Sequence, residues 1–301
     1  LDRLGEVFPQ VAGESAQVVV EAPEGHRIDE YRTQLEDVVG RIAEVGPGVE
    51  GWAKGDRVLV NPVNKRKGLL GEMMDGGMAE YCLVAADQLI RMPDGVSFED
   101  AASLPVAYGT AHRMIVTHNT VKKGDRVLVL GASGGVGTGC VLLAKQLGAE
   151  VIACAGSADK MDRLKALGAD EVINYRDTDF SKWAIERYGK PQRRTYEGGV
   201  DVVINFTGGD TWVPSLRCLK RGGKLLVCGA TAGHDPKEDL RYVWSFELQI
   251  IGSNSFYDDD LSALMDMIQA GTAFCASAIA SSSADCTLGG ARLISSTRTR
   301  L

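Results

Sequence analysis

The sequence predicts an α/β protein: a doubly wound parallel sheet preceded by an irregular, β-rich first part. Three observations predict it. From Val121 onward, short runs rich in Val and Ile alternate with longer stretches of helical period, the pattern of repeated βα units. One strand-to-helix junction, Gly131-Ala132-Ser133-Gly134-Gly135-Val136-Gly137, is a glycine loop. Before Val121 the apolar runs are separated by Gly- and Asp-containing turns, which reads as β structure without covering helices.

Taken in order, the expected strands of the first part are Gln17 to Val20, Val38 to Val45, Arg57 to Asn61 and Ala79 to Val84. Pro93-Asp94-Gly95 is a turn, and Phe98 to Ala102 opens a helix that carries the chain onward. Six strands follow, at Arg126 to Leu130, Glu150 to Ala155, Glu171 to Asn174, Val200 to Phe206, Lys224 to Gly229 and Gln249 to Ser253. Between and after them, Val136 to Leu147, Asp159 to Leu167, Asp179 to Tyr188, Thr211 to Leu219 and Leu261 to Ala270 have apolar spacing suited to helices on both faces of a sheet. From Thr272 the chain is mostly Ala, Ser, Thr and Arg with little period, and Ser281-Ser282-Ser283 is near low complexity. The expected organisation is a β-rich domain over 1–105, a nucleotide-binding domain over 106–271 and an atypical tail over 272–301.

Composition narrows the function classes. A length of 301 residues suits two domains, and 33 Lys and Arg against 40 Asp and Glu give a formal charge of −7, so a nucleic-acid partner is not expected. No run of apolar residues is long enough to cross a membrane. The start, Leu1-Asp2-Arg3-Leu4, lacks the apolar core of a secretory signal, which makes a cytoplasmic location the expectation. The cysteines (Cys82, Cys140, Cys154, Cys218, Cys228, Cys275 and Cys286) are odd in number and widely spread, unlike a disulfide framework, and read as buried free thiols.

The glycine loop follows a strand and opens a helix, the context in which such a loop binds a dinucleotide. Gly131 permits the sharp turn, Gly134 and Gly135 let main-chain amides approach a diphosphate, and Gly137 allows close helix packing. The helix N-terminus adds partial positive charge. The spacing Gly131-x-x-Gly134-x-x-Gly137 is not the strict G-x-G-x-x-G form. The next strand ends Ala155-Gly156-Ser157 without an acid at its tip. A carboxylate there would bond a ribose 2′-hydroxyl and repel a 2′-phosphate, whereas Ser157 and Lys160 can bond and neutralise one. NADP(H) is therefore the expected cofactor in preference to NAD(H).

Several motifs in fixed order carry a family likeness: Val39-Gly40 through Val45-Gly46-Pro47-Gly48-Val49, Gly55-Asp56-Arg57-Val58, Gly76-Gly77-Met78-Ala79-Glu80-Tyr81, Leu104-Pro105-Val106-Ala107-Tyr108-Gly109-Thr110-Ala111, the glycine loop, and Leu167-Gly168-Ala169-Asp170. From about Val38 to Gly271 the chain resembles the medium-chain dehydrogenase/reductase superfamily, in particular its quinone oxidoreductase (zeta-crystallin-like) branch. The resemblance implies a chaperonin-like β-barrel domain beside a Rossmann domain, with the active site in the cleft between them. It implies hydride transfer to a quinone or another α,β-unsaturated carbonyl, with Thr110 at the nicotinamide and Tyr108 lining the pocket. Packing in a hinge helix is the competing reading for both residues. Further implied contacts are Ser133 to Val136 on the phosphates, Tyr175 by the adenine, Gly229-Ala230-Thr231 by the nicotinamide ribose and Asn254 on the carboxamide.

The superfamily also contains zinc alcohol dehydrogenases, whose ligands are Cys, His or carboxylate. Here Leu35-Glu36-Asp37 stands where those enzymes carry Gly-His-Glu, Val106 stands where they carry a later Cys, and Val63 to Gly71 holds no cysteine. No metal is expected. The alternatives to a zinc-independent NADPH-dependent reductase are a zinc-type alcohol or aldehyde dehydrogenase and a protein that binds NADPH without turnover. His26 is a weak catalytic candidate near a segment faintly similar to the family's Asn-x-x-Asp, while His112, His118 and His234 read as structural or exposed. The acidic run Asp258-Asp259-Asp260 reads as the charged cap of the helix from Leu261. After Gly271 the chain departs from the family. With GC-rich codons, the stretch from Ala291 to Arg300 shifted by two bases can spell a segment similar to the family's Ala-x-His helix, so an altered reading frame is one hypothesis for the tail. A homodimer through the edge of the Rossmann sheet is the expected association.

Overall fold

The computed structural model describes residues 17–21, 38–77 and 81–272. His26, the segment Leu35-Glu36-Asp37, Cys275, Cys286 and the tail from residue 273 lie outside the described residues.

The first part forms a five-stranded sheet from β1 (Gln17–Glu21), β2 (Val38–Val45), β3 (Arg57–Val60), β6 (Tyr81–Ala85) and β7 (Leu89–Arg91), in the order β6-β1-β2-β3-β7. Every pairing in it is antiparallel, with a register shift in β1 between Val19 and Val20. A small hairpin of β4 (Val63–Asn64) and β5 (Gly68–Leu69) projects from it. That hairpin occupies the segment in which a cysteine-rich lobe would have to lie. The expected strands at Arg57 and Ala79 shift by a residue or two, and β7 was not expected. It is only three residues long, too short for a period of two to show.

Helix α1 (Phe98–Ala102) starts at Ser97, whose side chain accepts from the Asp100 amide. Its first residue is gripped from the sheet: the guanidinium groups of Arg57 and Arg41 lie 4.7 and 5.8 Å from the Phe98 ring centroid. Arg57 also donates to the carbonyls of Pro93, Asp94 and Val96, fastening the turn that precedes the helix. Next comes α2, residues 104–117, wound with π-type turns over Leu104–Gly109 and Arg113–Thr117 on either side of Thr110–His112.

The second sheet has six parallel strands, β8 (Arg126–Val129), β9 (Glu150–Ala155), β10 (Glu171–Asn174), β11 (Val200–Ile204), β12 (Leu219–Val227) and β13 (Gln249–Gly252), in the order β10-β9-β8-β11-β12-β13. This is the doubly wound order, with the strand sequence reversing between β8 and β11. Its helices are α3 (Gly135–Gln146), α4 (Ala158–Ala166), α5 (Phe180–Tyr188), α6 (Trp212–Cys218), α7 (Leu240–Ser245) and α8 (Asp258–Gln269). The acid run lies inside the first turn of α8, three residues before the expected start at Leu261.

Both faces of this sheet are buried, and strand residues alternate between two cores. Val127, Val129, Val151, Ala153, Val202 and Ile204 face one; Leu128, Ile152, Cys154 and Val203 face the other. The first core also takes in Val39, Leu59 and Ile90 from the antiparallel sheet, together with Leu104, Tyr108 and Met114 of α2. The two sheets therefore share one apolar interior along α2, while Ile42, Val58 and Val60 fill a separate core on the antiparallel sheet's other face. Among the described residues no helix is long and apolar enough to cross a membrane.

Candidate active site

The carboxyl ends of the parallel strands meet at the point where strand order reverses, the place at which open α/β sheets bind ligands. The glycine loop leaves β8 there. Gly131 has φ of +62°, and a Cβ on it would stand 2.9 Å from the Phe206 ring, so a side chain is excluded by both backbone and neighbour. A Cβ on Gly137 would lie 2.4 Å from the Gly131 carbonyl oxygen, and one on Gly135 would lie 2.9 Å from Ala107 Cβ. Helix α3 is thus pressed onto its own loop and onto α2.

Gly134 differs from the others. Its backbone is extended (φ −81°, ψ 169°), and a Cβ would make only an ordinary 3.5 Å contact with the Gly131 carbonyl. It is the N-cap of α3 and has no side chain to cap the first turn. The opening amides of the helix therefore have neither intrahelical acceptors nor a capping oxygen, and they end in a loop of glycine and the half-buried Ser133. The Thr138 hydroxyl donates to the Gly134 carbonyl at 2.7 Å and fixes the turn.

On one side of this loop lies the end of β9. Gly156 is buried, and a Cβ on it would meet the Tyr175 hydroxyl at 2.5 Å and the Arg176 Nε at 3.3 Å. The Tyr175 ring, half exposed at 53%, lies over the strand tip because that residue is glycine. Ser157 is the N-cap of α4 but makes no side-chain capping bond, which leaves its hydroxyl for another partner. Asp159 pairs with Arg163 at 3.1 Å, and among the described residues no carboxylate pairs with the half-buried Lys160.

On the other side are the loops after β11 and β12. Asn205 is fully buried; its amide donates to Thr211 and Ser215 at 3.0 Å, and its carbonyl oxygen accepts from the Thr207 and Gly208 amides. Thr231 and Ala232 donate from their amides to the Phe206 and Thr207 carbonyls, which brings Gly229, Ala230 and Thr231, all exposed, beside Phe206 and thus beside Gly131. Asn205 and Phe206 were not foreseen as site-building residues. The expected strand ran through both, and only the buried amide and the ring against a glycine reveal their role. Cys228 at the end of β12 is half-buried, and burial pushes its thiol up to about 11, so it is no thiolate nucleophile.

Helix α2 packs on α3 beside this loop, with Ala107 against Gly135 and Ala111 against Gly139. Thr110 is 8% exposed and Tyr108 only 1%, its ring against Gly139 of α3, where a Cβ would stand 3.3 Å from Tyr108 Cδ1. The expected pocket-lining position of Tyr108 is corrected here: the ring is a core element, because close helix packing at a glycine draws it in. Burial also pushes the Tyr108 hydroxyl well above the ordinary tyrosine value. Asn254, beyond β13, is exposed. The structure therefore gathers Gly131 to Gly137, Gly156, Tyr175 and Gly229 to Thr231 around one strand edge and leaves Tyr108 behind it.

The zinc-binding dehydrogenase family profile matches residues 135–270, and that of the alcohol dehydrogenase GroES-like domain matches residues 15–94. A crystal structure of an NAD-dependent alcohol dehydrogenase is 31% identical, with a TM-score of 0.72 over 86% of this chain and 83% of its own. The chain belongs to the medium-chain dehydrogenase/reductase superfamily. Among other members of that superfamily, crotonyl-CoA reductase of Streptomyces avermitilis is 32% identical over 72% of this chain and 55% of its own length. Quinone oxidoreductase of Homo sapiens is 30% identical over 73% of this chain and 61% of its own. The chain thus spans little more than half the length of these superfamily relatives. The structure of a 2-octenoyl-CoA carboxylase reductase with NADP and 2-octenoyl-CoA, 24% identical, shares the fold with a TM-score of 0.71 over 93% of this chain and 82% of its own.

His112 takes the structural of its two readings. His112 is buried, and its Nδ1 lies 2.8 Å from Asp260 Oδ1. The partner stands far along the chain, so no local spacing signals it. Asp260 also caps its helix as expected, accepting from the Tyr257 amide at 2.9 Å. Among the described residues no three His, Cys, Asp or Glu side chains converge as metal ligands do.

Proposed function

We propose that this superfamily member is an NADPH-dependent reductase of quinones or α,β-unsaturated carbonyls that works without zinc, its cofactor lying across the crevice just described. One observation carries the reading: Gly134 is glycine without an internal reason, at the head of a helix whose first amides lack a cap. A diphosphate fits both facts, since it accepts from main-chain amides that a side chain would block. The proposed phosphate contacts are Ser133 to Gly137. Gly156, Ser157 and Lys160 take the 2′-phosphate, Tyr175 the adenine, Gly229 to Thr231 the nicotinamide ribose and Asn254 the carboxamide.

The bound cofactor supplies the hydride. The chain's part is to hold acceptor and nicotinamide at reacting distance in a site screened from water. Thr110, at the wall formed by α2, is the proposed hydrogen-bond donor in the nicotinamide region. Tyr108 supports that wall from within. Zinc has no part in the proposal because the donor set does not suit it: Val106 offers no ligand and the hairpin from Val63 to Gly71 has no cysteine. The relatives named for crotonyl-CoA and for quinones share a conjugated carbonyl acceptor and support the same class here. We place the β-rich domain at 1–105 and the nucleotide-binding domain at 106–271, with the tail at 272–301, and propose that two copies pair through β13. That strand lies at the sheet's edge, and Ile250 is 43% exposed on it.

The test is nicotinamide absorbance during incubation with NADPH and a panel of quinones, enones and enoyl thioesters, after exhaustive chelation. Turnover of at least one conjugated carbonyl is expected. Oxidation of simple alcohols restored by added zinc, with no loss of NADPH to any panel member, would overturn the proposal.

A further inference from the structure

The buried carboxylate of Asp260 has no place in the chemistry above, yet it is among the most fully bonded groups in the molecule. Its side chain is 2% exposed. Oδ1 accepts from His112 Nδ1 at 2.8 Å and from the Thr117 hydroxyl, Oδ2 accepts from the Tyr257 amide at 2.9 Å, and Arg113 Nη1 stands 3.9 Å away. Three of these partners belong to α2, the helix that carries Thr110; the fourth ends the loop that carries Asn254. The Arg113 guanidinium also covers the Tyr257 ring at 3.8 Å.

That loop, Ser253 to Tyr257, is held elsewhere too. Ser253 donates from its amide to the Val227 carbonyl at 2.8 Å, and Ser255 has φ of +54°, a left-handed conformation that a serine keeps only when its surroundings impose it. Phe256 is 3% exposed and packs so closely on α2 that a Cβ on Gly109 would lie 2.7 Å from its ring. From the antiparallel sheet, Asn61 donates to Asp258 at 2.6 Å, and the Asn61 carbonyl in turn accepts from the buried Gln88 at 2.9 Å. The first turn of α8 is therefore fastened to α2 through Asp260 and to the antiparallel sheet through Asp258.

We propose that the Asp260–His112 pair is a positioning device for the nicotinamide half of the site: it sets the Asn254 loop against the helix that bears Thr110. The pair touches no reacting atom. It acts through the loop, whose strained Ser255 would relax if the clip were released, carrying Asn254 away from Thr110. The inference rests on the cofactor reading above and adds to it that the two halves of the dinucleotide are secured by separate devices. The adenine half depends on the ends of β9 and β10, remote in the sheet order from β13.

The test compares two ligands in the full-length chain: 2′,5′-ADP, which fills only the adenine half, and NADPH. The variants are Asp260→Asn, His112→Leu, His112→Asn, which keeps a donor at the Nδ1 position, and the milder Thr117→Val. Asp260→Asn and His112→Leu should bind 2′,5′-ADP as the native chain does. Their NADPH affinity should fall about tenfold, the scale set by stranding one buried hydrogen-bonding group, with loss of the fluorescence change of the bound nicotinamide. Thr117→Val should show a smaller loss of the same kind, and His112→Asn should restore both readouts. Unchanged NADPH affinity and fluorescence in the first two variants would overturn the inference. So would equal losses for 2′,5′-ADP and NADPH across the series, Thr117→Val included, which would make the pair a general support of the fold. Failure of the native chain to bind 2′,5′-ADP would instead remove the cofactor reading itself.

Discussion

Gly134 and Gly137 share one loop and answer to different constraints, so they separate binding from folding. At Gly137 an alanine Cβ would press on the Gly131 carbonyl at 2.4 Å. Gly137→Ala should cost about 1–3 kcal/mol of stability in urea denaturation, as overpacking does. At Gly134 the same atom meets nothing closer than 3.5 Å. Gly134→Ala should melt at the native temperature and lose NADPH affinity in a titration; unchanged affinity would deny the loop its diphosphate. Lys160→Ala should narrow the preference for NADPH over NADH by about tenfold, the contribution of one charge-assisted contact. Asp260 supplies a pH prediction. Burial raises its carboxyl, but hydrogen bonds from His112, Thr117 and the Tyr257 amide outweigh that and hold it below the ordinary aspartate value. A carboxyl lowered on folding contributes stability that is present above its unfolded value and lost as pH falls through the folded one. Denaturant melts of the native chain below pH about 4 should thus weaken more steeply than those of Asp260→Asn.

At the scale of elements, the central parallel strands were legible because they bury both faces, and their helices because they run long enough for an apolar stripe to show. The apolar runs Val127-Leu128-Val129 in β8 and Val151-Ile152-Ala153-Cys154-Ala155 in β9 place both strands within a residue of expectation. Short elements were not: β4, β5 and β7 have two or three residues each, and α7 is a six-residue helix with no buried residue to mark a face. The strand β11 ends at Ile204, before the expected Phe206: the Asn205 main-chain amide still donates to the Leu226 carbonyl, but its side-chain oxygen accepts from the Thr207 and Gly208 amides and turns the chain away. Much of the candidate site was legible for the same reason that the sheet was, since a glycine loop between strand and helix is a local pattern. The His112–Asp260 pair and the Tyr108 ring against Gly139 were not, because both arise from packing between segments distant in sequence. Helix starts behave locally again. Asp179 accepts from the Ser181 and Lys182 amides at the head of α5, so Asp179→Ala should lower stability by about 1 kcal/mol in equilibrium unfolding; no change would mean that the cap is replaced by water at no cost.

For the whole molecule, the decisive feature is that the antiparallel sheet lends Val39, Leu59 and Ile90 to the core that also backs the nucleotide sheet and α2. The two sheets are thereby expected to unfold together. Leu59→Ala, at a fully buried position, should cost about 2–5 kcal/mol and shift a single transition seen by fluorescence and by far-ultraviolet circular dichroism alike; two separated transitions would contradict the shared core. The same continuity ties the candidate site to both sheets, through α2 on one side and the Asn61–Asp258 bond on the other. The central claim is that main-chain amides at the head of α3 hold the diphosphate of a 2′-phosphorylated nicotinamide nucleotide at the edge where strand order reverses. Calorimetric titration of the native chain with NADPH and then NADH tests it most directly. The account predicts one site per chain with NADPH bound at least about tenfold more tightly; heat from neither nucleotide, or tighter binding of NADH, would contradict it.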